Sequence, residues 1–412
     1  MARRSESRWM AGCVTGVLLT ALALSGAVAP ARAAQTDWQI LELGNPVPGA
    51  PAGVAVGAVA VQTDQADTRV PYLFSILAGE IFMTYRYDGR WQWAKTGPPS
   101  GRVAAELPIG VVVGQPLNGQ AERPYVFVRG TDGHLWVCSL VGVDWVWTDL
   151  GTPPGGDIVA AVGAVAVHDG QGLAGRPYVF VTGADGKLWL TWWTGRDWHW
   201  DDRGTPPGAV VNPYYARVGV TVRQPSPGGP EHPQAFLLDV RGDLWRHGWD
   251  GSAWRWTNHG RPVPTVAWPH GLGVVDLPDP RTRTSHVAAY TAYGAQVFAF
   301  DLYGDTGGWT PQGVVTGTQW VDPVGVVAVR ENRVGPAVPR VHVAQLDAVG
   351  PIWQGGTGQT WTPIRGTSVQ SAGGRDTGDS VVIDSPSTAD QTTYVFFWAG
   401  KRNNLTVAWS AG

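Results

Sequence analysis

Cysteine is nearly missing: the 412 residues hold two, Cys13 and Cys138. Cys13 falls in a segment expected to be removed on export, which leaves Cys138 alone and excludes an intramolecular disulfide. Packing and pairing must hold the fold without one, as a chain of this length allows. Charge is scarce as well. Asp, Glu, Lys and Arg make up 15% of the chain, against roughly 25% in ordinary soluble domains. Beyond residue 34 no apolar run approaches the ~20 residues that span a bilayer, and no stretch repeats apolar residues at helical spacing. HExxH, G-x-S-x-G, phosphate-loop and paired-cysteine motifs are all absent, so nothing calls for a cofactor or a metal. The nine histidines show no ligand spacing, although His199, His247 and His259 recur in similar places in two repeats. Residues 376–384 carry only a trace of the acidic, glycine-bearing pattern of a calcium loop.

The first 34 residues read as a secretory signal peptide. Arg3, Arg4 and Arg8 precede an apolar run over residues 14–29, and small residues lead to a cleavage site after Ala33 or Ala34. The paired arginines leave the twin-arginine route open beside the general one. Cys13 precedes the apolar run and does not follow it, which argues against lipidation. Without this segment 26 basic and 32 acidic residues remain, a formal charge of −6. That balance disfavours nucleic acid and anionic membranes as partners. The expectation is a secreted, extracellular protein with one domain over residues 35–412.

What the chain has in excess is Gly (56), Pro (32) and Trp (23). The glycines and prolines punctuate Val, Ala, Tyr and Trp runs, an all-β pattern. The runs repeat. From Arg123 the chain reads RPYVFVRGTDGHLWVCSLVGVDWVWTDLGTPPG, and from Arg176 RPYVFVTGADGKLWLTWWTGRDWHWDDRGTPPG, with further copies from Val70 and His232. The aromatic after the central turn falls at Phe82, Trp136, Trp189, Trp245, Phe298 and Trp353, with Thr406 in the last copy, at steps of 53 to 56. A later tryptophan follows at Trp91, Trp145, Trp198, Trp254, Trp309 and Trp361, and the next falls past the end of the chain.

Each copy holds four strand-sized segments: a Gly/Ala/Val run, PYVFV, the L-W pair, and W-x-W. Asp132-Gly133 and Asp185-Gly186 mark tight hairpins, since glycine accepts positive φ. The proline-bearing residues 151–154 and 204–207 mark stiff crossovers. The 378 residues after the leader equal seven units of 54. The prediction is a seven-bladed β-propeller of four-stranded antiparallel blades, small residues innermost and tryptophans in the widening outer wedge. The last blade should combine residues 380–384, 392–400 and 404–410 with an N-terminal strand over 37–43, a closure that removes free edges.

PYVFVRGTDGHLW, the WW or GW before the next turn, and DWxW followed by LGTPPG resemble the repeats of bacterial PLL-like seven-bladed propeller lectins. The resemblance spans nearly the whole chain after the leader. It is good in copies one to four and weaker in five to seven, where Tyr293-Gly294 and Val349-Gly350 replace Asp-Gly. It implies shallow sites for fucose or related glycans, repeated between neighbouring blades.

The residues themselves offer two readings of the tryptophans. Trp136, Trp189, Trp245 and Trp353 sit mid-blade among apolar neighbours and read as core. Tyr87, Trp193, Trp249 and Tyr303 end third strands, and Trp91, Trp145, Trp198, Trp254 and Trp309 begin fourth strands. These either fill the outer wedge or present platforms for the apolar C–H face of a sugar, with Asp88, Asp197 and Asp250 beside them to accept its hydroxyls. The innermost strands carry titratable groups only near their ends, at His168, Asp169, Asp276, Asp322, Glu331 and Asp384. That favours a non-enzymatic role over chemistry in an axial funnel. Carbohydrate binding leads, with a protein-interaction scaffold and a propeller enzyme as alternatives. A mid-strand place beside Val137 predicts that Cys138 is buried.

Overall fold

The structure is a computed structural model and describes residues 38–62, 69–99, 104–114, 122–168, 175–211, 217–264, 269–330, 335–345, 349–369, 378–384, 391–399 and 403–411. The leader, Asp169, Glu331 and Asp376 lie outside them. Residues 36–412 form one compact unit.

The chain enters on β1 (Gln39–Gly44). Blade 1 is then β2 (Val54–Gln62), β3 (Arg69–Leu77), β4 (Glu80–Tyr87) and β5 (Arg90–Gly97), and blade 2 is β6 (Ala104–Gly114), β7 (Arg123–Gly130), β8 (Leu135–Val141) and β9 (Asp144–Gly151). Blade 3 comprises β10 (Ile158–Val167), β11 (Arg176–Gly183), β12 (Leu188–Trp193) and β13 (Trp198–Asp202); blade 4 comprises β14 (Arg217–Arg223), β15 (His232–Leu238), β16 (Leu244–Trp249) and β17 (Trp254–Asn258). Blade 5 is β18 (Pro269–Asp279), β19 (Thr284–Tyr293), β20 (Gln296–Tyr303) and β21 (Thr306–Val314). Blade 6 is β22 (Val321–Val329), β23 (Val338–Gln345), β24 (Trp353–Gly355) and the two-residue β25 (Thr362–Pro363). Blade 7 is β26 (Gly378–Asp384), β27 (Gln391–Ala399) and β28 (Asn404–Ala411), completed by β1.

The protein is a seven-bladed β-propeller of antiparallel four-stranded sheets. The first strands of successive blades contact one another around the ring, and β26 contacts β2 to close it. β1 pairs β28 with Gln39 opposite Trp409 and Glu42 opposite Thr406, the closure expected from the half-unit at each end.

Close approach explains the small residues of the first strands. Six of them break register at a glycine: Gly57, Gly110, Gly163, Gly219, Gly273 and Gly325. A Cβ on Gly163 comes within 3.0 Å of Val220 of the next blade, and one on Gly325 collides with the Ser380 hydroxyl. The seventh position is Asp379. Its Oδ2 accepts the Ala58 N–H at 2.6 Å and fastens blade 7 to blade 1 beside the axis.

The Asp-Gly turns are three-residue loops, since Gly130 N–H donates to His134 O at 2.9 Å and Gly133 adopts φ 83°. The aspartate then reaches past the glycine to the third-strand indole: Asp132 Oδ1 accepts Trp136 Nε1–H at 3.4 Å, and Asp185 Oδ1 accepts Trp189 Nε1–H at 3.1 Å. These two tryptophans and Trp245 are buried as expected, whereas Trp353 is only half-buried at the start of the short β24.

The fourth-strand tryptophans join blades. The second of each W-x-W pair donates its indole N–H to a backbone carbonyl of the preceding blade: Trp93 to Leu43, Trp147 to Thr96, Trp200 to Leu150 and Trp256 to Arg203, at 3.0 to 3.1 Å. Trp309 and Trp361 do the same to His259 and Gln312. They are therefore second tryptophans, two residues out of step with their alignment to Trp91, Trp145, Trp198 and Trp254. Register agrees: Trp309 faces Phe300 as Trp256 faces His247. The seventh equivalent is Ile40, which carries no donor.

Cys138 is fully buried, and burial pushes its thiol up to about 12. DTNB at pH 8 is expected to leave Cys138 of the native protein unmodified and to titrate it only in denaturant. Trp147→Phe removes the bond to Thr96 O while keeping most of the ring. A loss of about 1–2 kcal/mol is expected by urea unfolding; an unchanged midpoint would mean that the clasp contributes nothing.

Candidate functional site

A cleft of the outer ring lies between blades 3 and 4 and encloses about 260 Å³. Blade 3 supplies Tyr178, Leu190, Trp192, Asp201 and Arg203; blade 4 supplies Glu231, Pro233, Trp249 and Trp254. Alternation along the strands produces this lining. In β12, Leu190 and Trp192 face blade 4 and pair across from Phe180 and Tyr178, while Trp189 and Thr191 point the other way. Trp192 stacks on Tyr178 at 5.7 Å and 25°, and its Nε1–H donates to Asp201 Oδ2 at 3.1 Å.

Opposite, Trp254 packs its edge on the fully buried Phe180, with Trp249 tilted against it at 5.9 Å. The Arg203 guanidinium pairs with Asp201 and lies 4.8 Å from the centre of the Trp254 ring, a cation–π arrangement that fixes both. His247 stacks on the same indole, and burial, aided by Arg203, pushes it down to about 3, so it is neutral at ordinary pH. Glu231 Oε2 accepts the His168 backbone N–H at 2.8 Å and sits 2.9 Å from that residue's ring Nδ1. Aromatic planes thus converge with two carboxylates and one guanidinium, a combination suited to a small ligand with apolar faces and several hydroxyls.

The residues expected from sequence fall at four different junctions. Trp249 and Trp254 line this cleft. Trp193 and Trp198 lie 5.7 Å apart at the junction of blades 2 and 3, where Trp198 packs on Phe127. Trp145 packs on Phe74 between blades 1 and 2, and Trp91 packs on Phe396 and Tyr394 between blades 7 and 1. Register places Arg86 and Leu140, and not Tyr87, opposite the fourth-strand tryptophan as Trp193 and Trp249 are. Tyr87 is one residue later and 66% exposed, and Tyr303 is likewise one residue past the equivalent Leu302. Asp88 occupies a hairpin tip at φ 48°, and Asp197 an exposed tip beside Arg196. Asp250 folds back on its own hairpin. Arg255 foremost, with Ala253 and Ser252, holds its carboxyl well below the usual range. No described tryptophan is fully exposed.

Tyr178, Trp192, Asp201, Arg203 and Glu231 escaped the sequence reading. For Trp192, Asp201 and Arg203 the available signal was departure from the repeat. Asp201 and Arg203 stand where blade 1 has Ala94 and Thr96 and blade 2 has Thr148 and Leu150, and Trp192 stands where they have Tyr85 and Ser139.

The axial cavity, about 300 Å³, is walled mainly by glycine, alanine and valine of the first strands, and Asp379 is the charged residue among its lining. Asp322 is buried in β22. His199, His247 and His259 point to different surroundings: the first is exposed near Asp201, the second lies between Trp254 and Trp256, and the third is against Phe300. No helix among the described residues is long and apolar enough to cross a membrane.

No protein-family model and no curated protein matches the chain. Solved structures do. The BP39L lectin from Burkholderia pseudomallei aligns at a TM-score of 0.57 with 18% identity, over 87% of this chain and 96% of its own. A triple arginine mutant of AofleA from Arthrobotrys oligospora aligns at 0.50 with 12% identity, over 82% and 91%. The likeness is one of fold.

Asp276 of β18 lies within electrostatic reach of Glu231. Burial first, and Glu231 after the opposing hydrogen bond from Ser285, raises it to about 7. The unfolded chain releases this proton near pH 4. Between about 4 and 7 the folded state holds a proton that the unfolded state has lost, so stability falls as pH rises through that window. Asp276→Asn is expected to flatten this slope and to melt above the wild type at pH 8. Parallel melting curves of the two proteins from pH 4 to 8 would contradict the assignment.

Proposed function

We propose that this protein is an exported carbohydrate-binding propeller that seats a neutral sugar in the cleft between blades 3 and 4. One observation carries the reading: the meeting of Trp192, Trp249 and Trp254 with Arg203, Asp201 and Glu231 in a single open cavity. A pyranose needs an aromatic plane for its C–H face and charged acceptors and donors for its hydroxyls, and charge-assisted hydrogen bonds of this kind are the strong ones. The signal-like residues 1–34 support export, and the PLL-like repeats support fucose or a related deoxy sugar, whose methyl group suits an apolar wall. BP39L is itself a lectin of this fold.

The junctions are unequal. Blades 1 and 2 share Tyr72, Tyr85 and Trp145 with Glu122, and blades 2 and 3 share Tyr125, Trp193 and Trp198, but neither has an equivalent of the Asp201–Arg203 pair. Binding is therefore centred on one strong cleft, with weaker neighbours adding avidity on a glycan-dense surface.

A glycan array with the secreted form, followed by calorimetry with methyl α-L-fucoside, tests this. Binding should weaken about tenfold in Arg203→Met and in Trp192→Ala, with melting temperature followed in both. Silence across fucosylated, galactosylated and methylated glycans would remove the proposal.

A further inference from the structure

The junction of blades 4 and 5 holds the same place in the ring as the aromatic cleft one step earlier, yet its chemistry is different. Register gives the correspondence. Arg223 stands for Val167 and Arg246 for Leu190, while Gln234 replaces Tyr178 and Gly248 replaces Trp192. Across the junction Leu302 and Gly307 take the places of Trp249 and Trp254. Four aromatic rings have gone and two guanidinium groups have come in.

Both arginines are largely buried, with side chains 13% and 10% exposed, and both converge on one oxygen. Asp305 Oδ1, at the tip of the β20–β21 hairpin, lies 3.1 Å from Arg246 Nη2 and 4.0 Å from Arg223 Nη1. Arg223 also donates to the Gly304 carbonyl. Asp305 is itself 79% exposed. Two shielded positive charges therefore share one negative charge that stands mostly in water. The Nε atoms of both arginines are buried without a partner among the described residues, as are Gln234 Oε1 and His232 Nδ1 on the same face of blade 4. Arg246, His232 and Gln234 are each more than nine-tenths buried. Burial, then Arg223, lowers the pKa of His232, so its ring adds no charge and can donate one N–H at neutral pH.

Buried guanidinium groups with unfilled donors are costly to maintain unless an anion completes them. The planar fork of arginine matches carboxylate and sulfate oxygens in pairs. We infer that the junction of blades 4 and 5 binds the carboxylate or sulfate of an acidic sugar, and that the Asp305 carboxylate occupies this position until the ligand displaces it. The inference does not rest on the neutral-sugar reading of the neighbouring cleft.

Calorimetric titration of the secreted form in chloride buffer with methyl β-D-glucuronide, galactose 6-sulfate and inorganic sulfate tests it, with methyl α-L-fucoside as a parallel arm. At least one acidic sugar should bind saturably and weaken as salt is raised. Arg246→Met should reduce this binding about tenfold. Asp305→Asn, a change at an exposed hairpin tip, should strengthen it severalfold by removing the competitor and leave the fucoside result unchanged. Absence of binding by both acidic sugars in wild type and Asp305→Asn overturns the inference. Equal affinity for inorganic sulfate and the sulfated sugar overturns the glycan assignment. Failure of the fucoside arm alone bears only on blades 3 and 4.

Discussion

An indole N–H that reaches back to the carbonyl of the preceding blade is the contact on which this ring depends. Six junctions carry it, from Trp93 to Trp361. Its strength as a single bond is modest, but its position is decisive. It lies where the wedge is widest and only a large side chain can cross, and it satisfies a strand-end carbonyl there. The first of the six holds β1 in place through Leu43 O, so one contact type both spaces the blades and locks the closing strand.

The fold was legible because its causes are local and repeated. The Asp-Gly loop announces a hairpin, and the indole that its aspartate accepts sits four residues on, as at Asp132 and Trp136. A half-unit at each end announces closure. Less was visible where equivalence depends on register. Trp309 aligns by eye with the first tryptophan of each pair, yet Gly307 holds that position and Phe300 fills the space, so the ring belongs with Trp256.

The candidate site was only half legible, for a related reason. Reading the repeat draws attention to what recurs, and the recurring tryptophans are engaged in joining blades. Trp254 is at once mortar against Phe180 and wall of the cleft. What distinguishes one junction from the next is the residue that departs from its counterparts: Arg203 where blades 1 and 2 have Thr96 and Leu150, and Arg246 in place of Leu190. A propeller of this design can vary its chemistry seam by seam without disturbing its joints.

The pairing of β1 with β28 also sets the order of events in folding. β1 waits for β28, across some 360 residues. Blades 1 to 6 each draw all four strands from one continuous stretch and can form as they emerge, but the ring cannot shut until β28 has been made. Contacts so distant in sequence are slow to find. Until they do, the outer edge of β28 remains open to any other extended chain nearby.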